Sequence, residues 1–195
     1  MSTAVAVQPR VLADVLPRVR ARDAALVLAA VSLTAGCAQI SFHIPGSAVP
    51  VTGQTFAVLL SGAALGANRG AAAMLLYVAL GMVGVPVYAG GAHGTSIVFG
   101  ATGGYLVGFM LAGWVVGRLA EARMDRTPLK ALPTFVIGSA IVYAIGVPWL
   151  AVAAHESLGA AVSDGFTPFI GGDVVKALAA AGLLPAAWAL VSRRR

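Results

Sequence analysis

Long apolar runs separated by short polar connections divide the chain into six segments, near residues 23–41, 53–68, 70–86, 98–119, 132–154 and 169–191. Each approaches the roughly 20 residues that an α-helix needs to cross a hydrocarbon core of about 30 Å. A closed barrel would instead show alternating segments of about ten residues around a polar lumen, and no such alternation is present. The pattern predicts an all-α, polytopic membrane protein with six transmembrane helices. It forms one domain over 23–195, preceded by a charged segment, 1–22, that reads as partly disordered or as an interfacial helix.

Composition agrees, with 59% hydrophobic and 10% charged residues and a mean hydropathy of +0.90; soluble domains carry about 25% charged residues. The placement of charge adds an orientation. Of the 13 Lys and Arg, 12 fall in four clusters: Arg10, Arg18, Arg20 and Arg22; Arg69; Arg118, Arg123, Arg126 and Lys130; and Arg193, Arg194 and Arg195. Every second connection is basic, and the intervening ones hold His43, His93, His155, Glu156 and Asp164 instead. The positive-inside rule then puts both termini in the cytoplasm. The net charge of +6 is dispersed over four inner segments, which makes it a topology signal and argues against nucleic-acid binding. Arg20 and Arg22 followed by an apolar run and Leu33-Thr34-Ala35-Gly36-Cys37 resemble a lipoprotein signal. More membrane segments follow, so an uncleaved first span with Cys37 as a packing residue is the better reading.

Small residues recur four apart, as in Gly62 and Gly66, Gly100 and Gly104, Gly104 and Gly108, and Gly113 and Gly117. In lipid this spacing allows close backbone approach between helices. The similar pair Ala25 and Ala29 on the first span could serve packing or face a partner protein. Two outer connections, 42–54 and 85–96, are free of Lys and Arg and too rich in Gly, Pro and apolar residues for solvated loops. Non-helical backbone at membrane depth survives where protein covers it or where it lines a cavity, so both are expected to be ordered caps over an outward-facing pocket.

No Gly-Lys dipeptide, His-Glu-x-x-His or Gly-x-Ser-x-Gly occurs. That removes a Walker A loop, a zinc-protease helix and a nucleophile elbow, and a lone cysteine supports no structural zinc site. No enzyme chemistry, cofactor or metal is expected. What remains is a group of polar side chains at the outer ends of spans: Thr52 and Gln54, Tyr88 and His93, and Asp173 with Lys176. Asp173 and Lys176 are three apart and share a helix face; ionisable groups at such depth are costly and mark function by default. The plain alternative is a structural ion pair with the lysine stem reaching outward. For Gln54 the alternative is a hydrogen bond at a helix start, and for His93 a solvated loop position.

Four stretches occur in order: Pro50-Val51-Thr52-Gly53-Gln54-Thr55, Gly84-Val85-Pro86-Val87-Tyr88-Ala89-Gly90-Gly91, Gly100-Ala101-Thr102-Gly103-Gly104-Tyr105 and Gly171-Gly172-Asp173-Val174-Val175-Lys176. Together they closely resemble the biotin-uptake family, the substrate-binding S components of energy-coupling factor transporters. The resemblance covers about residue 25 to the C-terminus. It implies a six-helix S-component fold with ordered outer loops, holding biotin near the outer face in a bacterial inner membrane. It implies ligand contacts at Asp173, Lys176 and Gln54, with Thr52, Tyr88 and His93 as further candidates. Ala25 and Ala29 correspond to the motif that docks a transmembrane coupling subunit, which works with two ATPase subunits. An S component for another vitamin, a solitary carrier, a membrane-embedded enzyme and a structural bundle are the competing readings. The chain departs from the family pattern at Ala101, where proline is usual, and has no Lys or Arg after Tyr88 to help hold a carboxylate.

Overall fold

The computed structural model describes residues 9–17, 21–45 and 47–193. Arg18, Arg20, Arg194 and Arg195 of the basic clusters, and Gly46 of the first cap, lie outside the described residues. Each of the six apolar segments contains a helix: α1 (Arg22–Gln39), α2 (Gln54–Leu65), α3 (Ala67–Met82), α5 (Gly103–Glu121), α6 (Pro128–Ala153) and α8 (Ile170–Arg193). Two short helices, α4 (Thr95–Val98) and α7 (Leu158–Gly165), lie in the connections, and Ser41–Phe42 (β1) pairs antiparallel with Val51–Thr52 (β2) across the first cap.

Three helical runs among the described residues are both long and apolar enough to cross a membrane: Gly103–Glu121, Pro128–Ala153 and Leu158–Arg193. At 12 residues, α2 is only about 18 Å long, and β2 of the first cap leads directly into it. The third segment stops at Met82, four residues short of the expected limit, where Gly84 (φ +103°) and then Pro86 divert the backbone. The fourth segment is broken between α4 and α5. A Cβ at Gly103 would stand 1.8 Å from the Val98 carbonyl oxygen, and Trp149 Nε1 donates to Gly100 O at 3.0 Å. Pro128 at the first turn starts α6 earlier than the apolar run suggests.

At the centre of the bundle, α5 packs against α6, α3 and α2, while α1 lies on α3 and α2, and α8 on α6 and α2. The four-residue glycine spacing makes these contacts close. A Cβ at Gly62 would meet Gly113 O at 2.6 Å, one at Gly104 would meet Trp149 Cβ at 2.3 Å, and one at Gly117 would meet Ala67 N at 2.4 Å. Cys37 is half-buried, with its carbonyl accepting from Gly53 N at 3.2 Å.

The basic end is closed by a described part of the N-terminal segment that packs rather than trails. Leu12–Val15 forms a 3₁₀ turn, with Val11 and Ala13 buried. Arg69 Nη2 holds Asp14 Oδ1 at 2.8 Å, and Arg126 Nη2 donates to the carbonyls of Pro9 and Arg10. Burial raises the Asp14 carboxyl, but the Arg69 guanidinium and the backbone N–H groups of Val11 and Arg10 outweigh it and hold the group below its ordinary value. Asp125, fully buried between α5 and α6, accepts from Trp188 Nε1 at 2.6 Å and lies 3.3 Å from Arg126 Nε, whose guanidinium stacks on the Trp188 ring. There desolvation prevails and raises the Asp125 carboxyl.

Candidate functional site

At the opposite end a cavity of about 230 Å³ opens between the start of α2, the inner faces of α5 and α6, and the two caps. Val49 and Pro50 of the first cap and Tyr88, Ala89 and Ala92 of the second form its roof; Leu106, Phe109 and Val142 form its apolar walls. Both caps are ordered by specific bonds. Ser47 Oγ donates to Asp164 O in α7 at 2.8 Å, tying the first cap to the far side of the bundle. Tyr88 Oη donates to Val78 O at 2.6 Å, and Gln39 Nε2 reaches Tyr88 O at 3.2 Å. The Tyr88 ring lies in a slot that exists because residue 81 is glycine: a Cβ there would come within 2.0 Å of the ring's Cζ.

Gln54, the first residue of α2, lies buried against this cavity, and its amide orientation is set by two partners. Its Oε1 accepts from Thr52 Oγ1 at 2.9 Å, and its Nε2 donates to Tyr77 Oη at 2.6 Å; Tyr77 in turn donates to Val87 O at 2.9 Å. Thr52 Oγ1 also receives the Gln54 backbone N–H at 3.2 Å. A primary amide has two N–H groups and two lone pairs on its oxygen, so one of each remains for a molecule in the cavity. Such an edge suits a neutral, amide-like or urea-like head group.

The other expected positions are distributed unevenly. Thr52 and Tyr88 line the cavity together with Gln54, whereas His93 is exposed, with Nδ1 3.3 Å from Gly91 O, and it is His43 that lines the cavity. Lys176 Nζ bonds Asp173 Oδ1 at 2.9 Å, as their spacing on α8 anticipates, but neither side chain is part of the cavity wall. Tyr143, whose hydroxyl donates to Asp173 Oδ2 at 2.5 Å, and Thr55 both line the cavity and stand beside the pair. Ala25 and Ala29 are exposed on one face of α1, as is Gly36.

Reading the residues alone missed Tyr77, Tyr105 and Tyr143. The chain has four tyrosines and all are buried at this end: Tyr88, Tyr105 and Tyr143 line the cavity, and Tyr77 braces Gln54. A phenol within an apolar span must find a partner for its hydroxyl, and that was the available signal. Tyr105 does so by donating to Gly165 O at 2.8 Å, packing edge-on to Tyr143 and stacking on Phe169. Among the described residues no group of three or more His, Cys, Asp or Glu could hold a metal ion.

Fold and site together define a class, a polytopic helical membrane protein built around a small, lidded and largely apolar cavity. Comparison with known proteins narrows this. The chain belongs to the BioY family, whose sequence profile matches residues 8–193. It is 41% identical over 138 residues to the biotin transporter BioY of Thermotoga maritima, covering 71% of this chain and 80% of that one. It is 37% identical over 161 residues to the probable biotin transporter BioY of Pyrococcus horikoshii, covering 83% and 93%. The fold matches a crystal structure of the S-component for biotin from an ECF-type ABC transporter, with a TM-score of 0.75 at 21% identity, over 87% of this chain and 94% of that one.

Proposed function

We propose that this chain is a biotin-binding membrane subunit of a vitamin uptake system, acting by capture and not by chemistry. The observation that carries the reading is the Gln54 amide, oriented by Thr52 and Tyr77 beside an apolar cavity under two ordered caps. The ureido ring of biotin offers the matching N–H and C=O groups, and the apolar walls suit its thiophane ring and aliphatic tail. Family membership and the names of the relatives support biotin over other vitamins. Asp173 and Lys176, bonded to each other at 2.9 Å, complete the ligand shell as a charged pair at one end of the ligand. Tyr88 and Thr52 contribute as wall and brace, whereas His93 lies outside the cavity wall.

The caps face outward in a bacterial plasma membrane crossed by six helices, and the basic end, including residues 1–22, is cytoplasmic. The exposed small-residue face of α1, with Ala25 and Ala29, docks a transmembrane coupling subunit that transmits the work of two ATPase subunits. The test is uptake of labelled biotin by biotin-auxotrophic cells expressing the chain with such a module. Accumulation that thiamin does not compete, and that Gln54→Ala reduces, is expected; accumulation equal to that of cells lacking the chain contradicts the proposal.

A further inference from the structure

Asp173 and Lys176 stand one layer behind the cavity, and what separates them from it is mainly one ring. Both carboxylate oxygens of Asp173 are engaged, Oδ1 by Lys176 and Oδ2 by the Tyr143 hydroxyl. Tyr143 has only one proton to donate, and its ring forms part of the cavity wall. The Asp173 carboxylate has lone pairs to spare, but the Tyr143 ring, held by that hydrogen bond, shields Oδ2 from the cavity, so a ligand there reaches Oδ2 by displacing the ring. On its other side Tyr143 borders a second, open hollow of about 230 Å³ between α6 and α8, lined by Val136, Phe166 and Ile170, with Ser139 and Asp173 as its other polar side chains. The ring thus has space to turn into and a hydroxyl to meet there.

We propose that Tyr143 and the ligand compete for Asp173, an N–H of the ligand replacing the phenol on Oδ2 as the ring swings toward the α6–α8 hollow. Asp173 and Lys176 then come into contact with the cavity without movement of α8. The phenol acts as an internal stand-in for the ligand's donor, so the carboxylate keeps a partner before and after the exchange, as a buried charge requires. An apparent affinity is reduced by whatever fraction of the protein holds the site closed. The proposal rests on the biotin reading, since it assigns the entering N–H to the ureido ring.

The experiment is calorimetric titration of biotin into the full-length protein in detergent, as wild type and as Tyr143→Phe, which keeps the ring and deletes the competing donor. Removing a hydrogen bond to a charged group is expected to tighten binding by on the order of tenfold; a merely structural tyrosine would weaken it. Wild-type binding with equal or weaker affinity in folded Tyr143→Phe overturns the exchange and leaves the biotin reading standing, whereas no binding by wild type overturns both. Should Tyr143→Phe not fold, tyrosine ζ-carbon NMR gives the same decision from the four tyrosines. The resonance that moves in Asp173→Asn must move in the same direction on adding biotin to the wild-type protein, and one that biotin leaves in place or moves the opposite way overturns the proposal.

Discussion

Replacing Tyr77 by phenylalanine deletes one oxygen from a fully buried side chain and leaves its ring where it is. That oxygen accepts from Gln54 Nε2 at 2.6 Å and donates to Val87 O at 2.9 Å. Both partners, one of them the buried Gln54, are left without it. A buried polar group deprived of its partner costs about 1–3 kcal/mol. Allowing for some rearrangement, the variant should lose about 2–4 kcal/mol of folding stability. Affinity should fall less. Gln54 keeps its bond to Thr52, but its amide is no longer held from both ends, and ordering one such side chain on binding costs about 0.5–1.5 kcal/mol. Biotin should therefore bind roughly 2- to 12-fold more weakly. The stability term is read from denaturant titration in mixed micelles and the affinity term from calorimetry on the same preparation. Unchanged values in both would show that Tyr77 does not orient Gln54, and the account of the site would lose its anchor.

Three further outcomes are expected. Asp173→Ala and Lys176→Ala should each weaken biotin binding by about 1–3 kcal/mol; unchanged affinity in both folded variants would remove the pair from the ligand shell while leaving the fold intact. Gly81→Ala should expel the Tyr88 ring from its slot, loosen the second cap and raise the biotin dissociation rate about 5- to 150-fold, given the 1–3 kcal/mol typical of overpacking; stopped-flow release measures it, and a wild-type rate contradicts the role of the slot. The Asp14 carboxyl is held below its ordinary 3.8, so its contribution is complete above that pH and is lost as pH falls through the lower folded-state value. The stability gap between wild type and Asp14→Asn should be about 1 kcal/mol at pH 6 and persist at pH 5, and a gap that has vanished by pH 5 has the wrong sign.

How much of this was legible in the chain follows from which forces act locally. The six helices were, because a continuous apolar run in lipid must satisfy its own backbone. So were the two ordered caps, since Gly- and Pro-rich backbone with apolar side chains cannot remain solvated at membrane depth, and so was the face shared by Asp173 and Lys176. The direction of that face was not legible. Rotation of α8 depends on its packing against α6 and α2, and that rotation leaves the pair behind Tyr143 rather than in the cavity wall. The packing of Val11 and Ala13 against the basic end was hidden too, because a segment so short and irregular shows no periodicity. Tyr77 and Gln54 are 23 positions apart on different helices, and only the tertiary arrangement brings such a pair within hydrogen-bonding distance. The breaks within the third and fourth segments, by contrast, were written in Gly84, Pro86 and Gly100 and were passed over because hydropathy alone does not register them.

The measurement that bears most directly on the central claim is calorimetric titration of biotin into the purified wild-type protein, with desthiobiotin and thiamin as comparison ligands. Saturable one-to-one binding of biotin is expected, retained by desthiobiotin because it keeps the ureido ring, with no competition from thiamin. Folded protein, stripped of any co-purified ligand, that gives no heat with biotin would contradict it.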